Sequence, residues 1–158
     1  MGTVAPLTRS SCQGGRAAAP ARRLLEEVVR DCGAQEATVW LISADGTSLD
    51  GTFNQGRTRE MLEAMTVPLG GTVVGMVAAT GQPVSIGPDD PHHPMVDEAV
   101  GTTTLAMIAA PVYVDSKLVG VLSAINPVSA RDDRFGAASL ETLSWKAYLM
   151  GLVLRGED

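Results

Sequence analysis

Hydrophobic residues follow a helical spacing at the start of the chain and a strand-like pattern directly after it. Residues 20–33, PARRLLEEVVRDCG, begin at Pro20 and end at Gly33, which is typical of a helix bounded by proline and glycine. Residues 36–43 and 47–53 are rich in β-branched and aromatic side chains and flank the turn ADG, so they predict a hairpin. Shorter elements follow: a helix over 57–65, a glycine-opened helix over about 71–80 that stops at Gly81, and a strand around 83–86.

A second hairpin and a last helix are predicted in the second half of the chain. Residues 103–114 and 117–126 flank the dipeptide DS and predict a second hairpin, whose strands are apolar on both faces and therefore covered on two sides. A helix is predicted from about Asp133 to Leu154, with Asp132 or Asp133 as its N-cap.

These elements predict an α+β fold with a central antiparallel sheet. The first and last helices are expected together on one face, and the small helices on the other. The absence of βαβ alternation argues against a doubly wound nucleotide-binding fold. Residues 1–18 lack an apolar period and are interpreted as a flexible leader, and residues 19–158 as one domain.

Composition narrows the function classes. The chain has 158 residues, a net charge of −6 and scattered arginines, which argues against nucleic acid or an anionic membrane as a partner. No signal peptide or membrane span is visible, so a cytoplasmic location is expected. The two cysteines, Cys12 and Cys32, form neither a CxxC motif nor a Cys/His ligand set.

The sequence resembles the GAF domain family over residues 20–155. Five stretches carry the resemblance: ATVWLISADGTSL, VPLGGTVVGMVAATGQPVSI, DDPHHPMVDEAVG, MIAAPVYVDSKLVGVLSAINP and RFGAASLETLSWKA. It implies a PAS-like, six-stranded antiparallel sheet, with terminal helices on one face that commonly form a dimer bundle. The other face would hold a pocket capped by short helices and loops. Members sense cyclic nucleotides, tetrapyrroles, haem or small metabolites, or only dimerise, so we expect a stand-alone sensory protein of bacterial-type signalling.

The pocket is predicted to be mostly apolar. No Arg or Lys maps to it to pair with a phosphate, and the Asn-Lys-Phe-Asp-Glu motif of many cyclic-nucleotide GAF domains is missing. Trp40 can face either side of the sheet, and Asn126 before Pro127 equally suits a strand-ending turn. The candidate pocket residues are Met76, Val77, Val84, Ile86, His92, His93, Met95, Val96, Thr103, Met107, Ser123 and Asn126.

The segment DDPHHPM, residues 89–95, holds both histidines of the chain. A metal or haem site there is the alternative to a loop that only roofs the pocket. Adjacent residues in an extended segment point to opposite sides, and the ligand count falls short of a closed tetrahedral set. We therefore predict no metal site and no cofactor, with Met95 and Val96 turned inward.

Catalysis is not expected. Neither cysteine lies in the predicted pocket region, which disfavours covalent bilin attachment and the free methionine sulfoxide reductase branch, whose chemistry relies on pocket thiols. The expected function is therefore a non-catalytic regulator that binds a small molecule, a signalling partner or both. A ligand-free dimerisation scaffold is the alternative.

A homodimer is predicted through the terminal helices. The last helix carries two apolar stripes, which implies two packing partners, and Leu143→Asp or Met150→Asp is predicted to give a folded monomer. The second stripe includes Trp145 and Leu152. The candidate interface residues are Leu24, Val28, Leu140, Leu143, Ala147, Met150 and Leu154.

Overall fold

A computed structural model describes residues 7–88, 90, 104–128 and 134–157 of the chain. The helices and strands within these ranges run in the order α1 (Arg9–Gln13), α2 (Ala18–Cys32), β1 (Ala34–Ile42), β2 (Ser48–Gln55), α3 (Arg59–Leu62), β3 (Thr66–Pro68), α4 (Val73–Thr80), β4 (Val84–Ile86), β5 (Met107–Val114), β6 (Lys117–Pro127) and α5 (Ala137–Arg155).

The six strands form one sheet in the order β3-β2-β1-β6-β5-β4. Every pairing is antiparallel, and the two predicted hairpins, β1–β2 and β5–β6, join through β1 and β6 at the centre. The predicted six-stranded α+β architecture is confirmed.

Both faces of the sheet are covered. Helices α2 and α5 pack on one face over a large apolar cluster that includes Val39, Leu122 and Met150. On the other face a smaller cluster joins α3 and α4 to the sheet through Leu62, Val77 and Val121. The ambiguity of Trp40 is resolved, because its side chain belongs to the smaller cluster.

Glycines end two helices at the predicted positions. Gly33 follows α2 with a φ of +66°, and Gly81 follows α4 with a φ of +69°. This left-handed backbone is strained for residues with a Cβ, so glycine stops the helix at little cost. Helix α4 begins two residues later than predicted, because Thr72 caps it by accepting a hydrogen bond from the Gly75 amide at 3.0 Å.

Two predicted boundaries move inward. Strand β5 begins at Met107 instead of 103, and Asn126, with a φ of +58°, accepts the Leu105 amide at 2.7 Å through Oδ1 just before it. Helix α5 begins at Ala137 after Gly136 instead of near 133. The predicted caps Asp132 and Asp133 lie outside the described residues.

The prediction of a flexible leader does not hold for residues 7–18. Helix α1 begins with a capping box at its N-cap residue, Thr8, and its Cys12 is fully buried. Arg9 Nε donates to the Gly51 carbonyl at 2.8 Å, and Gln13 Nε2 to the Thr52 carbonyl at 3.0 Å. Because β3 pairs with β2 only over residues 48–50, α1 satisfies carbonyls that the edge strand would otherwise expose.

A buried lysine joins the two terminal helices. Lys146 on α5 is 8% exposed, and its Nζ lies 3.1 Å from both Glu27 Oε1 and Asp31 Oδ2 on α2. Burial alone lowers the pKa of Lys146, but the hydrogen bonds and charges of these two carboxylates outweigh burial and raise the pKa. Hydrogen bonds from Arg30 and Lys146 lower the pKa of Asp31.

We expect Lys146→Met to weaken the α2–α5 contact in a pH-dependent way. The Asp31 contribution is present above the ordinary carboxyl pKa of 3.8 and is lost as pH falls through its lowered folded pKa. The Lys146 contribution is present below 10.5 and is lost as pH rises through its raised folded pKa. Urea unfolding from pH 2 to 11 should therefore show the largest deficit in the free energy of unfolding between these two limits and a smaller deficit outside them.

Lys117→Met is the matched control, because it removes the same charge from an exposed residue of β6. A Lys146→Met deficit that is constant across the whole pH range would contradict the ion-pair explanation.

Candidate functional site

A row of residues crosses the sheet on the face that carries α3 and α4. In register from β2 to β4, the row consists of Asn54, Thr38, Ser123, Ala109 and Val84. We call these five residues the central rung. Side chains alternate across a strand, so the rung lies on the opposite face from Val39 and Leu122.

The polar members of the central rung are buried and hydrogen bonded. Asn54, Thr38 and Ser123 are each at most 6% exposed. Asn54 Nδ2 donates to Thr38 Oγ1 at 2.8 Å, and the indole Nε1 of Trp40 donates to Ser123 Oγ at 3.0 Å. Trp40 therefore anchors the rung to the apolar cluster under α4.

One amide atom of Asn54 has no partner among the described residues. Its Oδ1 is buried and accepts no hydrogen bond from them. The oxygen and nitrogen of an amide are assigned from the hydrogen-bond network, and exchanging them would leave the nitrogen unpaired instead. A buried polar atom without a partner costs roughly 1–3 kcal/mol, so either an ordered water or a bound molecule at this position would be stabilising.

Apolar side chains border the rung on its next register. Ile125 pairs with Met107, and Met107 with Ile86, and all three are only partly buried. At the β1 end of this register the side chain of Glu36 is held in place, because its Oε1 accepts a hydrogen bond from the Thr58 hydroxyl at 2.6 Å. A wall of this kind offers apolar contact beside a few hydroxyl and amide groups, as small-molecule sites do.

The charge of this face limits its ligands. Among the described residues in register with the central rung and its two neighbouring registers, none is Lys or Arg. An anionic group placed there would lose its hydration without a cationic partner. The arrangement fits a neutral or weakly polar molecule.

The structure brings together five of the predicted pocket residues. Val77, Val84 and Met107 belong to or pack on the smaller apolar cluster, Ile86 pairs with Met107, and Ser123 is in the central rung. Met76 does not join them: it is 41% exposed, because the helical turn that buries Val77 directs its neighbour outward. Asn126 serves the strand end, where it holds the backbone before β5.

The remaining predicted pocket residues, His92, His93, Met95, Val96 and Thr103, lie outside the described residues. Both histidines of the chain are among them, so the metal and haem alternatives stay untested. Within the described ranges there is no group of three or more His, Cys, Asp and Glu side chains that could hold a metal ion.

Sequence reasoning missed Thr38 and Asn54. Their signal was present as two polar residues in strands that are otherwise largely apolar. These two polar residues can be recognised as a pair only once the strand register is known, because the register places them opposite each other. Pairing of this kind is decided by the turn and by a bulge between Val39 and Trp40, which the hairpin pattern does not locate.

The predicted dimer stripe is intramolecular. Leu24, Val28, Leu143, Ala147, Met150 and Leu154 are at most 7% exposed within a single chain, and Leu140 packs against the same cluster. They cover the sheet, so a second copy cannot reach them without unfolding. The exposed side of α5 is formed by the other stripe, with Trp145, Tyr148 and Leu152.

Both cysteines lie on the opposite face of the sheet from the central rung. Cys12 and Cys32 are buried in the cluster that α2 and α5 cover. Burial raises the pKa of Cys32 to about 11, so this thiol is protonated near neutral pH and is a poor nucleophile.

One antiparallel sheet between terminal helices and short capping helices is the architecture of small α+β sensory domains. The chain belongs to the GAF domain family, whose sequence profile matches residues 18–152.

Several solved structures share this fold at low sequence identity. A chemotaxis protein, described as a methyl-accepting chemotaxis protein, residues 122 to 287, is 16% identical, with a TM-score of 0.75 over 94% of this chain and 95% of its own. The second GAF domain of DevS from Mycobacterium smegmatis is 19% identical, with a TM-score of 0.70 over 88% and 93%. Free methionine-R-sulfoxide reductase from Neisseria meningitidis, in complex with its substrate, is 20% identical, with a TM-score of 0.64 over 94% and 82%.

No curated protein sequence matches this chain. In the described ranges, none of the helices combines the length and the apolar character needed to cross a bilayer.

Proposed function

We propose that this chain is a non-catalytic, cytoplasmic regulatory GAF domain that binds a neutral or weakly polar small molecule against the central rung. Asn54 carries the proposal, because it is 2% exposed and one of its amide atoms has no partner among the described residues. A ligand that hydrogen-bonds to Asn54 and packs on Met107 and Ile125 would remove that cost. Homodimerisation through the terminal-helix side would pass the bound state to a signalling partner.

The position of the cysteines supports a non-catalytic role. Thiol-based reduction needs an accessible thiolate beside the substrate. Here both thiols are buried on the far side of the sheet from the central rung. The similarity to a free methionine-R-sulfoxide reductase therefore extends to the fold, and the chemistry of that enzyme is not proposed for this chain.

A signalling role agrees with two of the structural neighbours. One is a methyl-accepting chemotaxis protein, and another is DevS from Mycobacterium smegmatis. At 16% and 19% identity they support a regulatory use of the fold and indicate no particular ligand.

A ligand-free scaffold is the second candidate function. It is favoured by the hydrogen bonds that Trp40 and Ser123 already make, and that Asn54 and Thr38 make, within the chain. In this case water would satisfy the second Asn54 amide atom.

The two tryptophans allow the two functions to be distinguished. Trp40 is buried beside the central rung, whereas Trp145 is 58% exposed on α5. We expect Trp145→Phe, in which Trp40 is the sole tryptophan, to change its emission on titration with a ligand identified by thermal-shift screening of neutral metabolites. Trp40→Phe, which retains only Trp145, is the control and should give a much smaller change, because Trp145 lies on the opposite side of the sheet from the central rung.

A second pair of variants locates the ligand. Asn54→Leu removes the unpaired amide atom, and we expect it to weaken binding by roughly tenfold or more, as the loss of one buried hydrogen bond implies. Met76→Leu alters an exposed residue outside the cluster and should bind normally. Native mass spectrometry without a bound molecule, together with no stabilisation by any compound, would favour the scaffold.

A further inference from the structure

The outward surface of α5 is an ordered stripe. The residues Glu141, Trp145, Tyr148, Leu152 and Arg155 are all exposed and follow one another at steps of four, three, four and three. This spacing is the heptad seam by which one helix packs along another. From Glu141 to Arg155 the stripe spans fifteen residues, and the fourteen steps between its ends correspond to about 21 Å at ~1.5 Å per residue. We call these five residues the outer stripe.

Helix α2 lies beside α5 and has a different outward surface. Its exposed positions at the same kind of spacing are Arg23, Glu26 and Arg30, all of them charged. A charged helix face is stable in water, whereas an aromatic stripe is more often a contact surface. The outer stripe is therefore the part of the terminal-helix side that a partner would cover.

The aromatic centre of the outer stripe is preformed. Trp145 and Tyr148 stack with their ring centroids 5.3 Å apart at an interplanar angle of 20°. Tyr148 also lines two adjoining grooves with Tyr113 of β5, of 230 and 420 Å³. Because the rings are held by each other, little side-chain entropy is lost when a partner packs on them.

The charges at the ends of the outer stripe specify the partner and its direction. Glu141 lies at the N-terminal end and Arg155 at the C-terminal end, and Tyr148 is the midpoint between them. We propose that a second copy of this chain packs its α5 antiparallel on this stripe, with the two-fold axis at Tyr148. Glu141 of each copy then faces the other copy's Arg155, and Trp145 meets the other copy's Leu152.

A parallel arrangement of the same helices is disfavoured by the same charges. It would place the two Glu141 side chains together at one end and the two Arg155 side chains together at the other, which is destabilising. Within one chain Arg155 Nε already pairs with Asp115 Oδ1 at 3.2 Å, but both side chains are more than 60% exposed. An arginine has further N–H groups with which to bind a second carboxylate.

The dimer is expected to be weak. A fully buried aromatic side chain covers roughly 150–250 Å². Trp145 and Tyr148 are 58% and 57% exposed, so together they can bury roughly 170–290 Å² per copy. Standard interfaces bury about 800 Å² per partner. Polar contacts around the aromatic centre must supply the rest, and we expect association that depends on concentration in the micromolar range.

A charge exchange tests the direction. We expect Glu141→Arg and Arg155→Glu each to weaken the dimer by roughly tenfold in sedimentation velocity, because symmetry places two like-charge pairs in each variant. The double variant Glu141→Arg/Arg155→Glu should recover most of the loss. Glu26→Arg on α2 is the matched control and should leave association unchanged.

Cross-linking gives an independent readout. Glu141→Cys and Arg155→Cys are prepared separately, and the buried Cys12 and Cys32 give little background. An antiparallel pair should form a disulfide efficiently only in the mixture of the two variants under mild oxidation. Efficient cross-linking of each variant with itself would indicate a parallel pair.

This inference rests on the homodimerisation in the proposed function, and the outcomes separate the two. Self-cross-linking without charge-exchange recovery overturns the antiparallel arrangement and leaves a homodimer in place. A monomer at every concentration overturns homodimerisation as well. Ligand binding at the central rung is read separately by Trp40 fluorescence and does not depend on either result.

Discussion

Replacing Met150 by Asp is expected to unfold this domain. Met150 is fully buried between α5 and the sheet in a cluster with Leu122 and Val39. An ionised carboxylate there would lose its hydration without a partner, at a cost of several kcal/mol. A domain of this size is stable by about 5–15 kcal/mol, so the loss is a large fraction of the total.

Tyr148→Asp is the matched variant on the outer stripe of the same helix. Tyr148 is 57% exposed, so the new carboxylate stays in water and the domain should remain folded. Far-UV circular dichroism and urea unfolding check both variants, and gel filtration follows their association. A Met150→Asp variant that is a cooperatively folded monomer would restore the sequence-based prediction that this stripe is a dimer contact.

Removing the ring of Phe53 is expected to be nearly as damaging. Phe53 is fully buried on β2, and the guanidinium of Arg22 on α2 lies 5.0 Å from its ring centroid. Phe53→Ala should lower the free energy of unfolding by about 3–5 kcal/mol, through lost apolar burial and the cavity left behind. The contact with the Arg22 cation is lost as well.

Phe53→Leu isolates the cavity contribution, because leucine refills most of the space without an aromatic face. We expect it to cost less than about 1.5 kcal/mol beyond the lost cation–π contact. Urea unfolding at equal protein concentration measures both variants. Equal destabilisation by alanine and leucine would show that the ring itself, rather than the filled volume, is what the site requires.

The local chemistry of the chain predicted most of the fold. The turns ADG and DS lie between strands that do pair, and Gly33 and Gly81 end helices with left-handed backbones. These features act within a few residues, so a single sequence is enough to identify them. The predicted boundaries were wrong where a residue distant in sequence fixes the end of an element. One example is the Asn126 side chain, which accepts a hydrogen bond from the backbone just before β5.

Helix α1 shows the limit of local patterns. The segment around Cys12 has no apolar period, yet Arg9 and Gln13 hydrogen-bond to carbonyls of β2 more than 35 residues away. Those contacts form because carbonyl groups near the edge of the sheet need hydrogen-bond donors, a requirement that is not visible in the sequence of the segment itself. A sequence pattern that is only locally polar therefore predicted a flexible leader.

The candidate site was predicted in its apolar half and, among the polar residues of the central rung, at Ser123 alone. Val77, Val84, Ile86 and Met107 are recognisable because apolar residues on the small-helix side must face the sheet. The polar half depends on register, since Thr38 meets Asn54 and Ser123 only through pairing with two different strands. A shift of one residue would send all these side chains to the other face.

The sequence by itself determined the element types, their order, the presence of two apolar stripes on α5 and the absence of a cysteine after Cys32. Only the tertiary structure decided which of the two stripes faces the sheet and which faces solvent. Met150 faces the sheet and Tyr148 faces solvent because α5 has a single orientation that fills the cluster with α2. Burial on one side of a helix is a property of its neighbours, and helical periodicity fixes only that two such sides exist.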